Sequence, residues 1–402
     1  MSLKKNIVGL ASAQLFNYIL PFIQFPLLIR VLGPDLFGLI MYYLSVIVIL
    51  QVITDYGLEI YLTKKITEDS SNKNKLNEYL YQSVIVKSIL IVICFILFLI
   101  IYYNTILVEH THLSIIFCLT MIVNAFNPLW VFQSIEKTFI FARIIIATKI
   151  MSILLIYILI RQQKDYVLFG YITLLSSVLL NLTAYFIIVF KLKINPQTTS
   201  IKLSLKIITE GFEFFLSRAS ASIYVIGCSL FLGSFGIMEQ VAIYGMAEKL
   251  YIAGCGVFAP VITAFIPYMN RTGNYQLFYK VTLAILLCAL IGTLIGHSIG
   301  LELLSFIFGS MGQNAKPVLD VLLLALIFNV MGMMFGYPAL MPIGKVRSAN
   351  ISVIYSGMIQ MILFLSLFYF DFDLTAVNVA YTFLLSTIFT FIYRFVVFVK
   401  YK

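Results

Sequence analysis

The chain has 402 residues, of which 61% are hydrophobic and only 11% are charged, with a formal net charge of +10. A soluble domain carries about a quarter charged residues, so this composition excludes a water-facing fold of this size. The apolar residues occur in blocks of about 20, the length that a helix needs to cross a bilayer. An outer-membrane barrel is excluded as well, because its strands alternate apolar and polar residues in segments of about 10.

The sequence therefore predicts an all-α polytopic membrane protein with twelve transmembrane helices. The N-terminal run after Lys4 and Lys5 superficially resembles a signal peptide, but its hydrophobicity continues well past residues 11–13, so we interpret it as an uncleaved first span. The predicted spans are 6–29, 38–60, 80–103, 113–132, 139–160, 166–190, 212–232, 241–268, 277–299, 318–342, 349–370 and 374–398.

The distribution of Lys and Arg predicts the orientation. If the N-terminus is cytoplasmic, the cytoplasmic segments hold sixteen of these residues and the opposite side holds four. The positive-inside rule then places both termini in the cytoplasm. The positive net charge is explained by this topology, and no nucleic-acid partner is predicted.

Two halves are indicated by the position of the basic segment 191–211. A division near residue 205 predicts an N-terminal six-helix lobe, 1–205, and a C-terminal six-helix lobe, 206–402. The phrases LIRVLGPDLFGLIMY (28–42) and LFLGSFGIMEQVAIY (230–244) echo each other at related positions of the two halves. Transporters are commonly built from such repeats, with the substrate path between them.

Polar residues within the spans recur at helical spacing, which places them on shared helix faces. In the first half, the first span carries such a ridge, and the second and fourth spans carry shorter ones. In the second half, the seventh span has Arg218 and Ser222 one turn apart, and the eleventh has Asn350 and Gln360. Stripes of this kind on both halves suggest a hydrated cleft, whereas a single amide is better explained as a hydrogen-bonding contact between helices. The stripe residues taken as candidates are Gln14, Asn17, Gln24, Asn124, Asn127, Asp55 and Glu59.

Charged residues within the spans divide into two groups. Lys87, Lys280 and Arg394 lie near predicted cytoplasmic ends, where long stems reach the headgroups. Lys149 lies at mid-span, and Arg218 lies about two turns inside its span. Glu248 and Lys249 are sequence neighbours, whose side chains leave a helix about 100° apart, so they need not pair with each other. Either they line an aqueous path or they form a structural ion pair.

Other motifs are missing or weak. Gly344-Lys345 is followed by Val346, so no phosphate-binding GxxxxGK[ST] loop occurs there. His110 and His112 lack the further ligands that a metal site needs, and no metal site or cofactor is predicted. No nucleophile–base pair stands out and the loops are short, so we do not expect an enzyme.

Long phrases then carry a family resemblance. The chain begins with the phrases KNIVGLASAQLFNYILPFIQFPLLIRVLGPDLFGLIMY and TDYGLEIYLTKKI. These are followed in order by NPLWVFQSIEK, EGFEFFLSRAS and VAIYGMAEKLYIAGCGVFAPVITAFIPYMNR. The chain resembles the O-antigen (Wzx-type) flippases of the polysaccharide transporter family, within the multidrug/oligosaccharidyl-lipid/polysaccharide (MOP) exporter superfamily. The last third of the chain is less distinctive.

The resemblance implies two six-helix lobes around a central cavity that opens alternately to each side. It implies an undecaprenyl-pyrophosphate-linked oligosaccharide as cargo, with the polysaccharide polymerase and the chain-length regulator as further partners. Arg30, Arg218, Lys249 and Lys149 are then candidate contacts of the headgroup. Asp55, Glu59 or Glu248 would then couple transport to H⁺ or Na⁺. The alternatives are a peptidoglycan-precursor flippase, a drug/cation antiporter of the same superfamily, or a membrane-embedded polymerase or ligase.

Overall fold

The computed structural model describes residues 3–68, 73–197 and 201–402, and it does not describe every side chain within them. These residues form α-helices joined by short turns, and they contain no β-strand. The helices are α1 Leu3–Asp55, α2 Leu58–Glu68, α3 Lys73–Asn104, α4 Thr111–Ala125, α5 Leu129–Ser134, α6 Thr138–Leu159, α7 Tyr166–Phe186, α8 Ile201–Phe235, α9 Met238–Thr272, α10 Tyr275–Phe308, α11 Lys316–Met334, α12 Tyr337–Leu340, α13 Val346–Tyr369 and α14 Ala376–Tyr401.

Nine helical stretches within the described ranges are long and apolar enough to cross a membrane. The two longest, Tyr18–Asp55 with 38 residues and Tyr275–Leu340 with 66, are about two and three times as long as the roughly 20 residues of one crossing. Each of these two stretches therefore has room for two of the predicted spans. The all-α, multi-pass class is confirmed, and the count of twelve crossings stays a prediction.

The helices end where the backbone leaves the right-handed region. Gly33 interrupts α1 with φ 80° and ψ 174°, a conformation that essentially only glycine adopts. At the end of α9, Gly273 has φ 57° and its N–H donates to the Met269 carbonyl at 2.9 Å. The Asn274 side chain then accepts from the Leu277 N–H at 3.1 Å and caps α10. A glycine followed by a capping residue thus produces a tight turn between two long helices.

The chain divides into two compact units. The first unit comprises residues 1–32 and 43–219, and the second comprises residues 33–42 and 220–402. The boundary lies within α8, and the segment after Gly33 is assigned to the second unit. The predicted lobes, with their division at residue 205, and the predicted central cavity stay predictions.

In the first unit, α2 and α5 pack together at one end, and α7 packs against α4 and α6. The core at the α2–α5 end is aromatic, with Tyr61, Trp130, Phe132 and Phe141 each at most 3% exposed. Burying large side chains such as these is a dominant stabilising contribution. The arrangement fixes α4, α6 and α7 side by side, which positions the cavity described below.

In the second unit, α11 packs against α9, α10 and α14. Phe278, Phe335 and Phe398 form an aromatic cluster in which the ring centroids lie 5.4 to 5.6 Å apart. The 33–42 segment joins this unit through close backbone approaches: a Cβ at Gly38 would lie 1.9 Å from the Met238 carbonyl oxygen. Glycine at residue 38 is therefore required by packing.

Candidate functional site

Helices α1, α4, α6 and α7 of the first unit surround a cavity of about 290 Å³. The cavity brings together three of the predicted site residues from three different helices. Because these helices lie at membrane depth, the polar lining is costly unless it serves a ligand, water or another polar group. The lining comprises Leu20, Gln24, Leu44, Asn124, Thr148, Lys149, Ser152, Phe169, Thr173, Ser176, Ser177 and Leu180.

Lys149 lies near the middle of α6 and is the only charged residue in this lining. Within the described ranges, its ammonium has neither a hydrogen bond nor an ion pair, and no carboxylate lines the cavity. An uncompensated charge in a low-dielectric environment is unfavourable, and at membrane depth such groups usually face water or a partner. The cavity therefore presents positive charge without a counter-ion.

The hydroxyl groups of the cavity divide into two sets. Thr173 Oγ1 donates to the Phe169 carbonyl at 2.7 Å, and Thr148 Oγ1 donates to the Ile144 carbonyl at 3.0 Å. Ser176 Oγ donates to the Thr148 carbonyl at 3.3 Å, which ties α7 to α6. These three hydroxyls, two bonded within their own helix and one bonded across to α6, are already satisfied as donors.

The remaining polar side chains of the cavity keep their donors free. Across the described residues, Gln24, Asn124, Ser152 and Ser177 have no side-chain hydrogen bond within the protein. Amides carry two N–H donors each, hydroxyls carry one, and Lys149 carries three. The cavity is consequently rich in donors, and it is suited to a ligand that carries acceptor oxygens.

Asn127 does not line this cavity, although it lies one turn from Asn124 in the sequence. Its Oδ1 accepts from the Leu129 N–H at 3.0 Å, and its carbonyl accepts from Lys87 Nζ at 3.2 Å. Lys87 is 3% exposed, so the prediction that it extends to the headgroups is wrong. The Asn127 carbonyl at the α4–α5 break provides this ammonium with a partner within the protein.

The other predicted residues of the first unit lie outside the cavity. Asp55 ends α1, and Glu59 lies in the first turn of α2, where the helix dipole stabilises a carboxylate. Arg30 is exposed on α1. The side chains of Gln14, Asn17 and Arg218 lie outside the described part of the chain.

In the second unit, Glu248 and Lys249 pair with each other. Lys249 Nζ lies 3.0 Å from Glu248 Oε2, and their side chains are 20% and 9% exposed, respectively. The sequence argument left this contact open because neighbours diverge by about 100°, but the flexible lysine stem closes that angle. The positive charge of Lys249 is therefore compensated on its own helix.

Other amides of the second unit join helices. Gln360 on α13 donates to Thr382 on α14 at 2.7 Å, and Asn329 on α11 donates to the Tyr251 hydroxyl on α9 at 2.8 Å. Arg394 donates to Ser352 Oγ and to the carbonyls of Gly332 and Ala349 at 2.7 to 3.2 Å. Arg394 is thus held by protein groups, in contrast to the snorkelling predicted for it. These residues act as hydrogen-bonding contacts between helices.

Sequence reasoning missed the contribution of α7 to the cavity. Thr173, Ser176 and Ser177 follow one another at intervals of three and one, which places them on one side of the helix. Ser152 also lies one turn beyond Lys149 on α6. The spacing was visible in the sequence, but isolated hydroxyls in apolar runs do not distinguish a cavity from ordinary helix contacts.

Comparison with solved structures defines the fold. The chain superposes on a lipid II flippase, MurJ, in an inward closed conformation with a TM-score of 0.77 and 15% identity, covering 99% of this chain and 88% of that one. It superposes on an inward-facing multidrug resistance MATE family transporter of the MOP superfamily with a TM-score of 0.73 and 18% identity, covering 98% of each chain. The chain is thus a multi-pass helical membrane protein with the fold of MOP superfamily transporters.

Sequence comparison defines the family. Residues 3–273 match the model of the family described as polysaccharide biosynthesis protein, and the chain belongs to this family. A relative from Escherichia coli (strain K12), named "Putative O-antigen transporter", is 26% identical over 277 residues, or 68% of this chain. The match spans 66% of that relative's length, just under two thirds. The resemblance predicted from the quoted phrases is confirmed.

Proposed function

We propose that the protein translocates an undecaprenyl-pyrophosphate-linked oligosaccharide, an O-antigen unit or a similar surface polysaccharide, from the cytoplasmic to the periplasmic leaflet. It does so by alternating access in the bacterial inner membrane, with both termini in the cytoplasm. The observation that carries the proposal is the donor-rich cavity at membrane depth, in a chain of a polysaccharide biosynthesis family with a transporter fold.

The chemistry of this cargo agrees with the residues present. Sugar hydroxyls need hydrogen-bond partners, which Gln24, Asn124 and the α7 hydroxyls supply. A pyrophosphate needs positive charge, for which Arg30, Arg218, Lys149 and Lys249 are the proposed contacts. The polyprenyl chain stays in the hydrocarbon of the bilayer.

The driving force proposed for transport is an ion gradient, with no bound cofactor. Asp55, Glu59 and Glu248 are the proposed coupling residues for H⁺ or Na⁺. A coupling carboxylate must exchange its partner during the cycle, and Glu248 has Lys249 as a partner to exchange. The expected result is that Glu248→Gln uncouples transport from the gradient, measured as cargo flipping in vesicles with and without an imposed ion gradient.

The proposed activity is transport and involves no enzymatic reaction. The polysaccharide polymerase and the chain-length regulator would act on the translocated cargo at the outer face, as partners of the transporter.

The decisive experiment is deletion of the gene followed by extraction of lipids. Accumulation of an undecaprenyl-linked oligosaccharide in the inner leaflet, with loss of surface polysaccharide, is the expected result. Accumulation of the peptidoglycan precursor, or drug sensitivity with normal surface polymer, would replace the proposal with one of the alternative transporters. A reporter fused after Lys402 is expected to be active only in the cytoplasm.

A further inference from the structure

We infer that one end of the second unit binds the phosphate headgroup of an anionic phospholipid, of the phosphatidylglycerol or cardiolipin kind. This end, called the basic end below, is where α9 turns into α10, α13 begins and α14 ends. The occupant is a lipid of the surrounding bilayer and not the transported cargo, so the inference is independent of the proposed function. The cations of the basic end are Arg271, Lys280, Lys345, Arg347, Lys400 and Lys402.

Contacts between the helices bring these cations together. Lys402 Nζ donates to the Tyr279 hydroxyl at 2.6 Å, which joins the last turn of α14 to the start of α10. The Tyr275 hydroxyl donates to the Ala339 carbonyl at 3.4 Å, which joins the start of α10 to α12. The aromatic cluster described above, with rings from α10, α14 and the end of α11, lies beside these contacts. Cations from four helices therefore lie at one end of the unit.

The charge of the basic end is not balanced by carboxylates. The segments that form it, 269–282, 334–349 and 394–402, contain no Asp or Glu. Glu239 and Asp371 lie at the opposite ends of α9 and α13. Within the described ranges, none of the six cations has an ion pair with another side chain. Clustered Lys and Arg at a membrane surface attract anionic headgroups, so this end favours an anion from outside the protein.

The Tyr401 ring holds two of the ammonium groups near each other. Lys345 Nζ lies 3.7 Å from the ring centroid, and Lys400 Nζ lies 5.5 Å from it. The ring attracts each ammonium but has no net charge, so the two positive charges still repel each other. A phosphate that accepts from both ammoniums would offset this repulsion and form charge-assisted hydrogen bonds. The flexible lysine stems allow both groups to reach one phosphate.

The surface next to the basic end indicates that the anion is a lipid. Tyr279 and Leu283 are one turn apart on α10, Val396 and Val399 are nearly one turn apart on α14, and all four side chains are exposed. Tyrosine is typical of the membrane–water interface, and the aliphatic side chains beyond it meet hydrocarbon. A phospholipid matches the cations with its phosphate and the exposed apolar side chains with its acyl chains. Free phosphate or an acidic peptide would match only the cations.

A second basic region of the chain shows what charge alone provides. Lys191 and Lys193 follow α7 and are exposed. The orientation predicted from the sequence places them on the same side of the membrane as the basic end. In the described part of the chain, no aromatic ring holds either ammonium. The topology thus explains the presence of lysines in both regions, but the contacts of ammoniums with rings distinguish the basic end.

The test measures lipid binding to the full-length protein in neutral detergent micelles by native mass spectrometry. Phosphatidylglycerol is compared with phosphatidylcholine that has the same acyl chains. The wild type is expected to bind phosphatidylglycerol at least about tenfold more tightly at low ionic strength, and added salt is expected to reduce this preference. Lys345→Gln/Lys400→Gln is expected to lose most of the preference, whereas Lys345→Arg/Lys400→Arg keeps it. Tyr401→Leu, which keeps both charges, is expected to weaken phosphatidylglycerol binding about threefold.

Lys191→Gln/Lys193→Gln is the matched control, because it removes the same net charge and is expected to keep the preference. The inference is overturned if the wild type does not prefer phosphatidylglycerol, if the control loses as much as Lys345→Gln/Lys400→Gln, or if that site variant binds like the wild type. Should the site variant fail to fold, unchanged binding by Tyr401→Leu would overturn the inference instead.

Competition separates the lipid from other anions. Inorganic phosphate and polyglutamate are each added at the same concentration of negative charge as phosphatidylglycerol, and neither is expected to displace the lipid. Displacement by inorganic phosphate would assign the basic end to a soluble anion. Displacement by polyglutamate would assign it to an acidic protein, and either result would contradict the lipid site.

Discussion

Glu248 and Lys249 are adjacent on α9 and form an ion pair with 3.0 Å between Oε2 and Nζ. Glu248 is buried, and Lys249 is partly buried, so each charge depends on the other for stabilisation. Removing one partner of a buried pair leaves an uncompensated charge, which costs more than removing both.

We therefore expect Glu248→Gln to lower the free energy of unfolding by about 3 kcal/mol. The double variant Glu248→Gln/Lys249→Gln is expected to recover a large part of this loss, as measured by denaturant unfolding in mixed micelles. Equal destabilisation in the single and double variants would show that the pair makes no net contribution through charge.

A substitution of Lys87 tests whether this side chain is held within the protein or extends to the lipid headgroups. Its ammonium donates to the Asn127 carbonyl at 3.2 Å, at the break between α4 and α5. Lys87→Met is expected to lower the free energy of unfolding by about 1–3 kcal/mol, because a part-buried hydrogen bond from a charged group is lost. The measurement is the unfolding midpoint of the purified variant.

Lys280→Met provides the control for that experiment, because Lys280 is exposed near the start of α10. A change within about 0.5 kcal/mol is expected for this surface substitution. If both lysine variants behaved alike, Lys87 would not be held by the Asn127 carbonyl.

Two glycines of the second unit should respond oppositely to alanine. A Cβ at Gly233 would lie 2.0 Å from Cδ2 of Tyr42, which is fully buried and whose hydroxyl bonds Ser234. A Cβ at Gly292 would have no neighbour within 4 Å.

We expect Gly233→Ala to cost about 3 kcal/mol or more through overpacking, because the Tyr42 ring cannot move away. Gly292→Ala is expected to be neutral or to stabilise α10 by up to about 1 kcal/mol, since alanine is the better helix former. The measurement is the melting temperature of each variant. Destabilisation of both variants would contradict the open space at Gly292.

The burial of His110, at the turn before α4, predicts that the stability of the protein depends on pH. Burial lowers the pKa of His110 below its usual value, and this effect outweighs the opposing attraction of Glu109. A histidine whose pKa is lower in the folded state binds fewer protons there than in the unfolded state, so stability rises with pH. The contribution is complete above about pH 6.5 and is lost as the pH falls through the folded value.

The expected result is a melting temperature that falls between pH 7 and pH 5, with a smaller fall in His110→Gln. His110 Nδ1 also lies 3.1 Å from the Tyr166 hydroxyl, and Tyr166→Phe removes this contact without removing the histidine. The pH dependence should persist in Tyr166→Phe. An unchanged slope in His110→Gln would assign the effect to other groups.

The class and family of this protein follow from the sequence by itself. Hydrophobicity in blocks of about 20 residues requires helices at membrane depth, because backbone polar groups in hydrocarbon must be satisfied within the segment. That constraint is local, so composition alone predicted the all-α, multi-pass fold, and the ordered phrases before residue 273 predicted the family.

Only the tertiary structure decided which polar side chains meet. Gln24, Asn124 and Lys149 come from different helices and share one cavity, whereas the side chain of Asn127, one turn from Asn124, accepts from the Leu129 N–H at the start of α5. Helical spacing places residues on a face but does not say what that face contacts. The partner of a buried charge is set by the packing of whole helices, as with Lys87 and Arg394, and by side-chain flexibility, as with Lys249, so these assignments could not be read from the order of residues along the chain.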